Sequence, residues 1–253
     1  MTQFAQVYRQ VALNIAAQPL VEQLVSRGAQ ALAQRFVAGA TPAEAVEALQ
    51  RLQREGIQGN LDLLGEFVQT PEPAQANTEA ILQTMQLVAA ANLRPYSSVK
   101  LSSIGQGQRA PDGREDLSYI HARRIVQQAQ LLGDFVALDM EDHTRVDSTL
   151  GIFRRLAEEF GHQSVGTVLQ AYLYRTPADW AALRDLAPNL RIVKGAYLEP
   201  GTVAMQQKSE IDAAYRQLVF EQLKAGHYCN VATHDHHIIY DVMHFAQNLH
   251  LNR

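Results

Sequence analysis

The sequence predicts an α/β fold with a parallel sheet, and a (βα)8 barrel is the leading architecture. Short apolar runs alternate with longer segments whose apolar positions recur every three or four residues, and parallel neighbours need such crossover helices. An open doubly wound sheet is the competing architecture, but no G-x-G-x-x-G loop follows any run. The predicted strands lie within residues 56–68, 97–105, 134–142, 164–174, 190–197 and 227–235.

The segments between these runs show helical periodicity and helix boundary signals. Thr41-Pro42-Ala43-Glu44 is a capping box with proline at the first helical position. Thr176-Pro177 repeats this opening, with Asp179 where the helix dipole favours an acid. Two mainly apolar helix faces are predicted. The first comprises Leu117, Ile120, Arg124, Ile125 and Leu132. The second comprises Asp147, Leu150, Phe153, Leu156 and Phe160, and its helix is expected to end at Gly161.

Residues 1–55 are predicted to form an N-terminal arm of two or three amphipathic helices, and residues 56–253 to form strands one to six of the barrel. No linker separates them, so we expect one compact domain. A closed barrel needs eight strands. We therefore expect the last two βα units to be missing, because the sequence is a fragment, because another chain supplies them, or because the sheet is open. The packing faces of the arm are Phe4, Val7, Val11, Ile15, Leu20, Leu24, Leu32 and Phe36.

Composition excludes several classes of protein. With 22 Lys and Arg against 26 Asp and Glu, the net charge is −4, and no basic block provides a surface for nucleic acid. The chain has neither an apolar run long enough to span a membrane nor a secretion signal, which favours a cytoplasmic protein. The single cysteine, Cys229, excludes an internal disulfide and is expected to be a small buried side chain.

Polar residues cluster at the predicted carboxyl ends of the strands, where barrel enzymes place their active sites. Lys100 and Lys194 could form a Schiff base if desolvation lowered their pKa values. The acids and histidines from Asp139 to His143 and from His234 to His237 could bind a divalent metal, but a metal is disfavoured, because they form no H-E-x-x-H motif. The third possibility for these residues is a large anionic cofactor held by cations and small residues. Composition alone does not choose among a Schiff base, a metal site and a cofactor site.

Six local sequence words restrict this choice. They are GNLDLLGE (59–66), KLSSIGQ (100–106), LDMEDHTRVD (138–147), GTVLQAYLYRT (166–176), LRIVKGAYLEP (190–200) and VATHD (231–235). In order and spacing they resemble the flavin-dependent proline dehydrogenases, both the single-function bacterial enzymes and the matching domain of proline utilization A. The resemblance covers about residues 40 to 245 and implies a distorted, TIM-like (βα)8 barrel that binds FAD at the carboxyl ends of its strands.

The resemblance implies oxidation of L-proline to Δ1-pyrroline-5-carboxylate by hydride transfer to FAD, the first step of proline catabolism to glutamate. Electrons would pass to a membrane quinone, with transient peripheral contact at the inner membrane. The protein then supplies geometry and electrostatics, because the flavin carries the redox chemistry. The tandem His236-His237 matches nothing in the family and is expected to be a solvated helix start.

The resemblance also assigns site residues. Arg191 matches an arginine beside flavin N5, where loss of one oriented donor typically costs about 2.7–4 kcal/mol. Asp139 matches a strand-end aspartate that hydrogen-bonds within the pocket. Cofactor-binding positions are Met140, Gln170, Arg175, Arg191, Lys194, Gly195, Ala196, Thr233 and His234. Substrate-side positions are Lys100 near the proline carboxylate, Asp62, the aromatic wall Tyr197, and Glu66, which closes the pocket.

The sequence departs from the family at its carboxyl end. The last helix of the family carries two arginines that clamp the substrate carboxylate, and no such motif occurs here. Losing two charge-assisted hydrogen bonds should weaken proline binding by about 3–6 kcal/mol. We therefore expect slow turnover from these 253 residues and faster turnover from a longer chain. The alternatives are a Schiff-base lyase using Lys100 or Lys194 and a non-catalytic ligand-binding barrel. Oligomeric state and selectivity for proline over hydroxyproline do not follow from these residues.

Overall fold

The computed structural model describes residue 39 and residues 41–94, 96–110 and 113–251. The chain divides into two compact units, Met1–Ile57 and Gln58–Arg253. The predicted packing faces of the arm, from Phe4 to Phe36, lie outside the described residues.

The described part of the first unit contains one helix, α1 (Pro42–Arg54). Its N-cap is Thr41, whose hydroxyl oxygen accepts a hydrogen bond from the backbone N–H of Glu44 at 3.3 Å. Pro42 occupies the first turn, and Arg51 and Arg54 lie in the last turn, where they complement the helix dipole. The predicted N-terminal boundary of this helix is confirmed.

The second unit is built on six parallel strands in sequential order. Each strand pairs in parallel with the next, as the crossover pattern predicts. Among the described residues, β1 and β6 each pair with one neighbour only, so the sheet is a curled half-barrel with two open edges. The strands are β1 (Asn60–Asp62), β2 (Tyr96–Val99), β3 (Phe135–Leu138), β4 (Val165–Gln170), β5 (Leu190–Val193) and β6 (Cys229–Val231).

A helix follows each strand, as predicted. These helices are α2 (Pro71–Ala90), α3 (Leu117–Leu132), α4 (Val146–Phe160), α5 (Thr176–Leu183), α6 (Lys208–Lys224) and α7 (His236–Asn248). Short 3₁₀ turns cover Leu101–Ile104, His143–Arg145 and Arg184–Leu186. The Asp116 carboxylate caps α3 by accepting from Ser118 N at 2.9 Å, and Gly161 ends α4 at a φ of 80°.

The opening of α5 differs from the sequence pattern. Thr176 is the first residue of the helix and not its cap, which is Arg175. The Thr176 hydroxyl instead donates a hydrogen bond to the carbonyl oxygen of Gln170, at 2.6 Å. The physical reason is the short connection from β4, because the hydroxyl satisfies a carbonyl at the strand end and is unavailable to the helix N–H groups.

The core lies between the sheet and the helices around it. Strands β3 and β4 are buried along their whole length, which is typical of a parallel sheet covered on both faces. From the helical side, Phe153 and Leu156 of α4 and Tyr215 of α6 are fully buried. Both predicted helical faces contribute to this core, through Ile125 of α3 and Phe153 of α4. Asp147, placed on the second face, is exposed at the start of α4.

Gly166 in β4 is expected to be sensitive to any side chain. An added Cβ would lie 2.3 Å from the carbonyl oxygen of Asn189 and 2.6 Å from the Phe135 ring. Gly166→Ala should lower the free energy of unfolding by about 3 kcal/mol, because the backbone carbonyl of Asn189 cannot move away from the new methyl group. The matched change Gly151→Ala, in exposed helix with nothing within 4 Å, should raise it by about 0.5–1 kcal/mol. Urea unfolding of both variants measures the difference, and equal midpoints would contradict the packing.

Asp134, before β3, should make stability depend on pH. Burial raises the pKa of this carboxyl to about 6, although Phe135 N donates to Asp134 Oδ1 at 2.8 Å. Since the folded pKa exceeds the unfolded value of about 3.9, ionisation opposes folding, and stability should fall as pH rises from about 4 to 6. Asp134→Asn should therefore stabilise the fold at pH 7.5 by about 1–2 kcal/mol and flatten this dependence. Thermal unfolding from pH 4 to 8 tests it, and an unchanged pH profile would show the expectation to be wrong.

No helix among the described residues combines the length and apolar character that crossing a membrane requires.

Candidate active site

A cleft of about 640 Å³ opens at the carboxyl ends of the strands. This is the end at which barrel enzymes bind their ligands, and the volume is typical of small-molecule sites. Its lining residues are Glu66, Lys100, Asp139, Met140, Val168, Gln170, Arg191, Val193, Lys194, Gly195, Ala196, Tyr197, Ala232 and Thr233. A larger cavity of about 940 Å³ lies at the opposite, amino-terminal end of the strands and contains none of the predicted site residues.

Four charged side chains form a cluster at the carboxyl ends of the strands, and three of them line the cleft. Lys100 Nζ lies 2.7 Å from Asp62 Oδ2 and 3.6 Å from Asp139 Oδ2. Arg191 donates from Nη1 to Asp139 Oδ1 at 2.8 Å and from Nη2 to the Ser98 hydroxyl at 2.8 Å. We call Asp62, Lys100, Asp139 and Arg191 the charge cluster. The strand register produces it, because Asp62 ends β1, while Lys100 and Asp139 directly follow β2 and β3.

The pKa values in the charge cluster reflect burial and pairing. Burial raises the pKa of Asp139, while the positive charges of Arg191 and Lys100 act in the opposite direction. Burial alone would lower the pKa of Lys100, but the hydrogen bond and charge of Asp62, together with Asp139 and Glu66, outweigh it and raise this pKa. Schiff-base chemistry requires a lysine with a lowered pKa. The geometry around Lys100 therefore opposes the lyase alternative at that residue.

Lys194, directly after β5, lies in a second group of paired charges. Its ammonium is 2.5 Å from Asp212 Oδ1 and 3.1 Å from Asp235 Oδ2. Lys208 also contacts both carboxylates. The strong hydrogen bond from Lys194 lowers the pKa of Asp235, so that carboxyl remains ionised and keeps the ammonium in place.

Gly195 shapes one wall of the cleft. Its φ is +118°, and an added Cβ would lie 2.3 Å from the ring of Tyr172. Only glycine fits both the backbone conformation and the close approach. The Tyr172 hydroxyl donates to the carbonyl oxygen of Tyr197 at 3.3 Å, so the wall continues to the aromatic residue predicted on the substrate side.

The loop after β3 is fixed by buried polar groups. Glu141 is fully buried, and its carboxylate accepts from the backbone N–H of Ser102 at 3.0 Å and from the Ser102 hydroxyl. Gln170 donates from Nε2 to the carbonyl oxygen of Glu141 at 2.7 Å. The amide of Gln170 therefore helps to hold the loop after β3 in place. Met140, between Asp139 and Glu141, is buried and lines the cleft.

Three predicted residues do not line the cleft. Asp62 belongs to the charge cluster, and its Oδ1 is buried without a hydrogen-bond partner in the described part of the chain. Arg175 donates to Asp179 at 2.8 Å and to Asp147 at 2.5 Å. His234 is exposed. Glu66 lines the cleft from an exposed position, and Thr233 accepts from Asp235 N at 3.1 Å.

Sequence reasoning missed two partners at the site. Asp212 lies on α6, far from the sequence words, and only the packing of α6 on β5 brings it to Lys194. Ser98 is a strand residue whose hydroxyl orients Arg191. The available signal was a pair of serines, Ser97 and Ser98, inside a predicted strand, since buried polar groups need hydrogen-bond partners. His236 begins α7 as predicted, and both His236 and His237 are exposed. Within the described ranges, no three His, Cys, Asp or Glu residues are grouped as for a metal ion.

Comparisons with known proteins identify the family of the chain. A family profile described as "Proline dehydrogenase" matches residues 45–253. The curated proline dehydrogenase of Deinococcus radiodurans is 52% identical over 95% of this chain and 77% of its own length. Proline dehydrogenase 1 of Bacillus subtilis strain 168 is 41% identical over 82% of this chain and 66% of its own.

The fold also matches a solved structure. The crystal structure of proline utilization A from Bdellovibrio bacteriovorus, inactivated by N-propargylglycine, superposes with a TM-score of 0.81, at 23% identity, over 92% of this chain and 28% of that one. At this identity the match establishes the fold, and the curled half-barrel confirms the predicted TIM-like class. The family profile and the curated relatives establish the ancestry: the chain belongs to the proline dehydrogenase family.

Proposed function

We propose that this chain uses FAD to oxidise L-proline to Δ1-pyrroline-5-carboxylate and passes the electrons to a membrane quinone. The observation that carries the proposal is the charge cluster, in a cleft at the carboxyl ends of the strands that Gly195 and Lys194 also line. Membership of the family supports the reaction.

The residues at the cleft fit a flavin dinucleotide. Gly195 and Ala196 line the cleft without a bulky side chain, and Arg191 and Lys194 provide positive charge for electron-rich and anionic groups. Met140 and Val168 give an apolar surface for a flat ring. The residues that would hold FAD are Met140, Gln170, Arg191, Lys194, Gly195, Ala196 and Thr233, with Arg175 and His234 as further candidates. Bound FAD would supply the acceptor for the hydride that leaves the proline ring.

The residues of the charge cluster divide into two roles. Arg191 stabilises negative charge that develops beside it, and Asp139 and Ser98 fix its guanidinium in one orientation. Lys100 provides a point charge for the carboxylate of proline, while Asp62 keeps its ammonium at the cleft. Tyr197 would form a wall of the substrate pocket, and Glu66 lies at the exposed rim of the cleft. Asp139 and Arg191 are thus the proposed catalytic residues, and Asp62, Glu66, Lys100 and Tyr197 the proposed substrate residues.

The test begins with the colour of the purified protein. A yellow protein that bleaches anaerobically with L-proline and releases a cyclic imine, identified by mass, supports the proposal. Reduction of a quinone analogue supports the acceptor, whereas reduction of soluble dyes alone argues against it. A colourless protein that takes up no FAD, or one that borohydride traps with a carbonyl substrate, overturns the proposal in favour of another ligand or a lyase.

A further inference from the structure

A hydrogen-bonded contact between Glu199 and His143 joins two loops that line the cleft. The first loop follows β3 and carries Asp139 and His143; the second follows β5 and carries Tyr197 and Glu199. Glu199 Oε1 accepts from the backbone N–H of His143 at 2.8 Å, and Glu199 Oε2 contacts His143 Nδ1. Both carboxylate oxygens of Glu199 are therefore satisfied by the single residue His143.

The burial of Glu199 indicates that this contact is more than a surface pair. Only 3% of its side chain is exposed, against 36% for His143. A desolvated carboxylate is costly unless it is paired and hydrogen-bonded. Other carboxylates pair in the open, as Glu159 does with Arg123 between α3 and α4. Among the described residues, the hydrogen bonds to the Glu199 carboxylate both come from the loop after β3.

A backbone hydrogen bond connects Glu199 to Tyr197. Glu199 N donates to the carbonyl oxygen of Tyr197 at 3.0 Å, and the same carbonyl accepts from the Tyr172 hydroxyl. Gln206 Nε2 donates to the carbonyl oxygen of Glu199 at 3.2 Å, which closes the loop on itself. On the other side, His143 opens the 3₁₀ turn His143–Arg145, four residues after Asp139.

We propose that Glu199 is a positioning residue of the site: by binding His143, it fixes the distance between the Tyr197 wall and the Asp139 wall of the cleft. The inference rests on the proposed function, because Tyr197 and Asp139 are there assigned to the substrate pocket. Loss of the contact should widen the pocket around a small ring, while Arg191 and Lys194 keep their own partners, Asp139 and Asp212.

The variants isolate the contact from general stability. Glu199→Ala removes it, and Glu199→Gln retains an oxygen that can accept from His143 N. His143→Ala retains the backbone N–H and removes the ring. Glu159→Ala is the matched control, because it deletes a glutamate that pairs with Arg123 away from the cleft.

The expected result is selective. Glu199→Ala should raise the KM for proline about tenfold, with kcat and the FAD dissociation constant within about twofold of the parent. Glu199→Gln should recover most of this loss, His143→Ala should lose less than Glu199→Ala, and the double variant should lose no more than Glu199→Ala. Glu159→Ala should leave all three constants unchanged. Hydrogen exchange of residues 195–206 should quicken in Glu199→Ala and not in Glu159→Ala.

Two outcomes overturn the inference: an unchanged KM for proline in Glu199→Ala, or parallel losses of kcat, proline binding and FAD binding that follow a drop in unfolding temperature. Failure of the parent protein to bleach with proline is a different result, since it removes the proposed function and the substrate role of Glu199 together. The exchange measurement needs neither FAD nor proline and would still report whether Glu199 fixes the loop.

Discussion

Replacing Arg191 with methionine should slow the anaerobic bleaching of FAD by proline by about 10²–10³-fold, the effect of losing one oriented donor. The side chain is 14% exposed and is fixed at two points, by Asp139 and by the Ser98 hydroxyl. Because this orientation exists before any ligand binds, the guanidinium needs no reorganisation when negative charge develops next to it. Stopped-flow single-turnover measurements separate this step from re-oxidation.

Two further variants show whether charge or geometry is responsible. Arg191→Lys keeps a cation, but an ammonium lacks the planar fork that reaches Asp139 and Ser98 together. We expect it to recover only part of the rate. Arg124→Met is the control, because Arg124 pairs with Glu79 in an exposed position and should bleach at the parental rate. A rate for Arg191→Met within threefold of the parent would remove Arg191 from the proposed mechanism.

The fold follows from local pattern to a large extent. A strand that is buried on both faces, such as β3, is expected to be apolar throughout, and a crossover helix such as α4 is expected to show one apolar face. Both features are visible in sequence. The residues at strand ends were also predictable, because parallel strands bring their carboxyl ends to one side. Asp139 and Lys100 approach each other for this reason.

The partners of the site residues were less predictable. Asp212 meets Lys194 because α6 packs beside β5, and Glu199 meets His143 because two loops of unrelated sequence fold together. No rule of sequence spacing predicts either of these two pairings. Arg175 illustrates a second difficulty: its position in a sequence word suggests cofactor binding, while its guanidinium here pairs with Asp147 and Asp179. Its role in cofactor binding stays a prediction.

Replacing Lys100 with methionine should raise the proline concentration needed for half-maximal bleaching by about 10–100-fold, because one charge-assisted hydrogen bond to the substrate carboxylate contributes about 1.5–3 kcal/mol. The effect has two sources. The substrate loses a partner, and the cluster loses the cation that lies 2.7 Å from Asp62 and 3.6 Å from Asp139. Removal of Lys100 also leaves the pKa of Asp139 to rise further, since the positive charge of Lys100 opposes the effect of burial.

A double-mutant cycle separates the two sources. Asp62→Asn removes the acid that binds Lys100 and keeps the ammonium, so it should weaken proline binding only a few-fold. If Lys100 acts through the substrate, the double variant Asp62→Asn with Lys100→Met should bind proline as weakly as Lys100→Met alone. If the loss comes instead from an unpaired carboxylate, Asp62→Asn should restore binding in the Lys100→Met background. Restoration would therefore assign Lys100 to the structure of the cluster and leave the proline carboxylate to another cation.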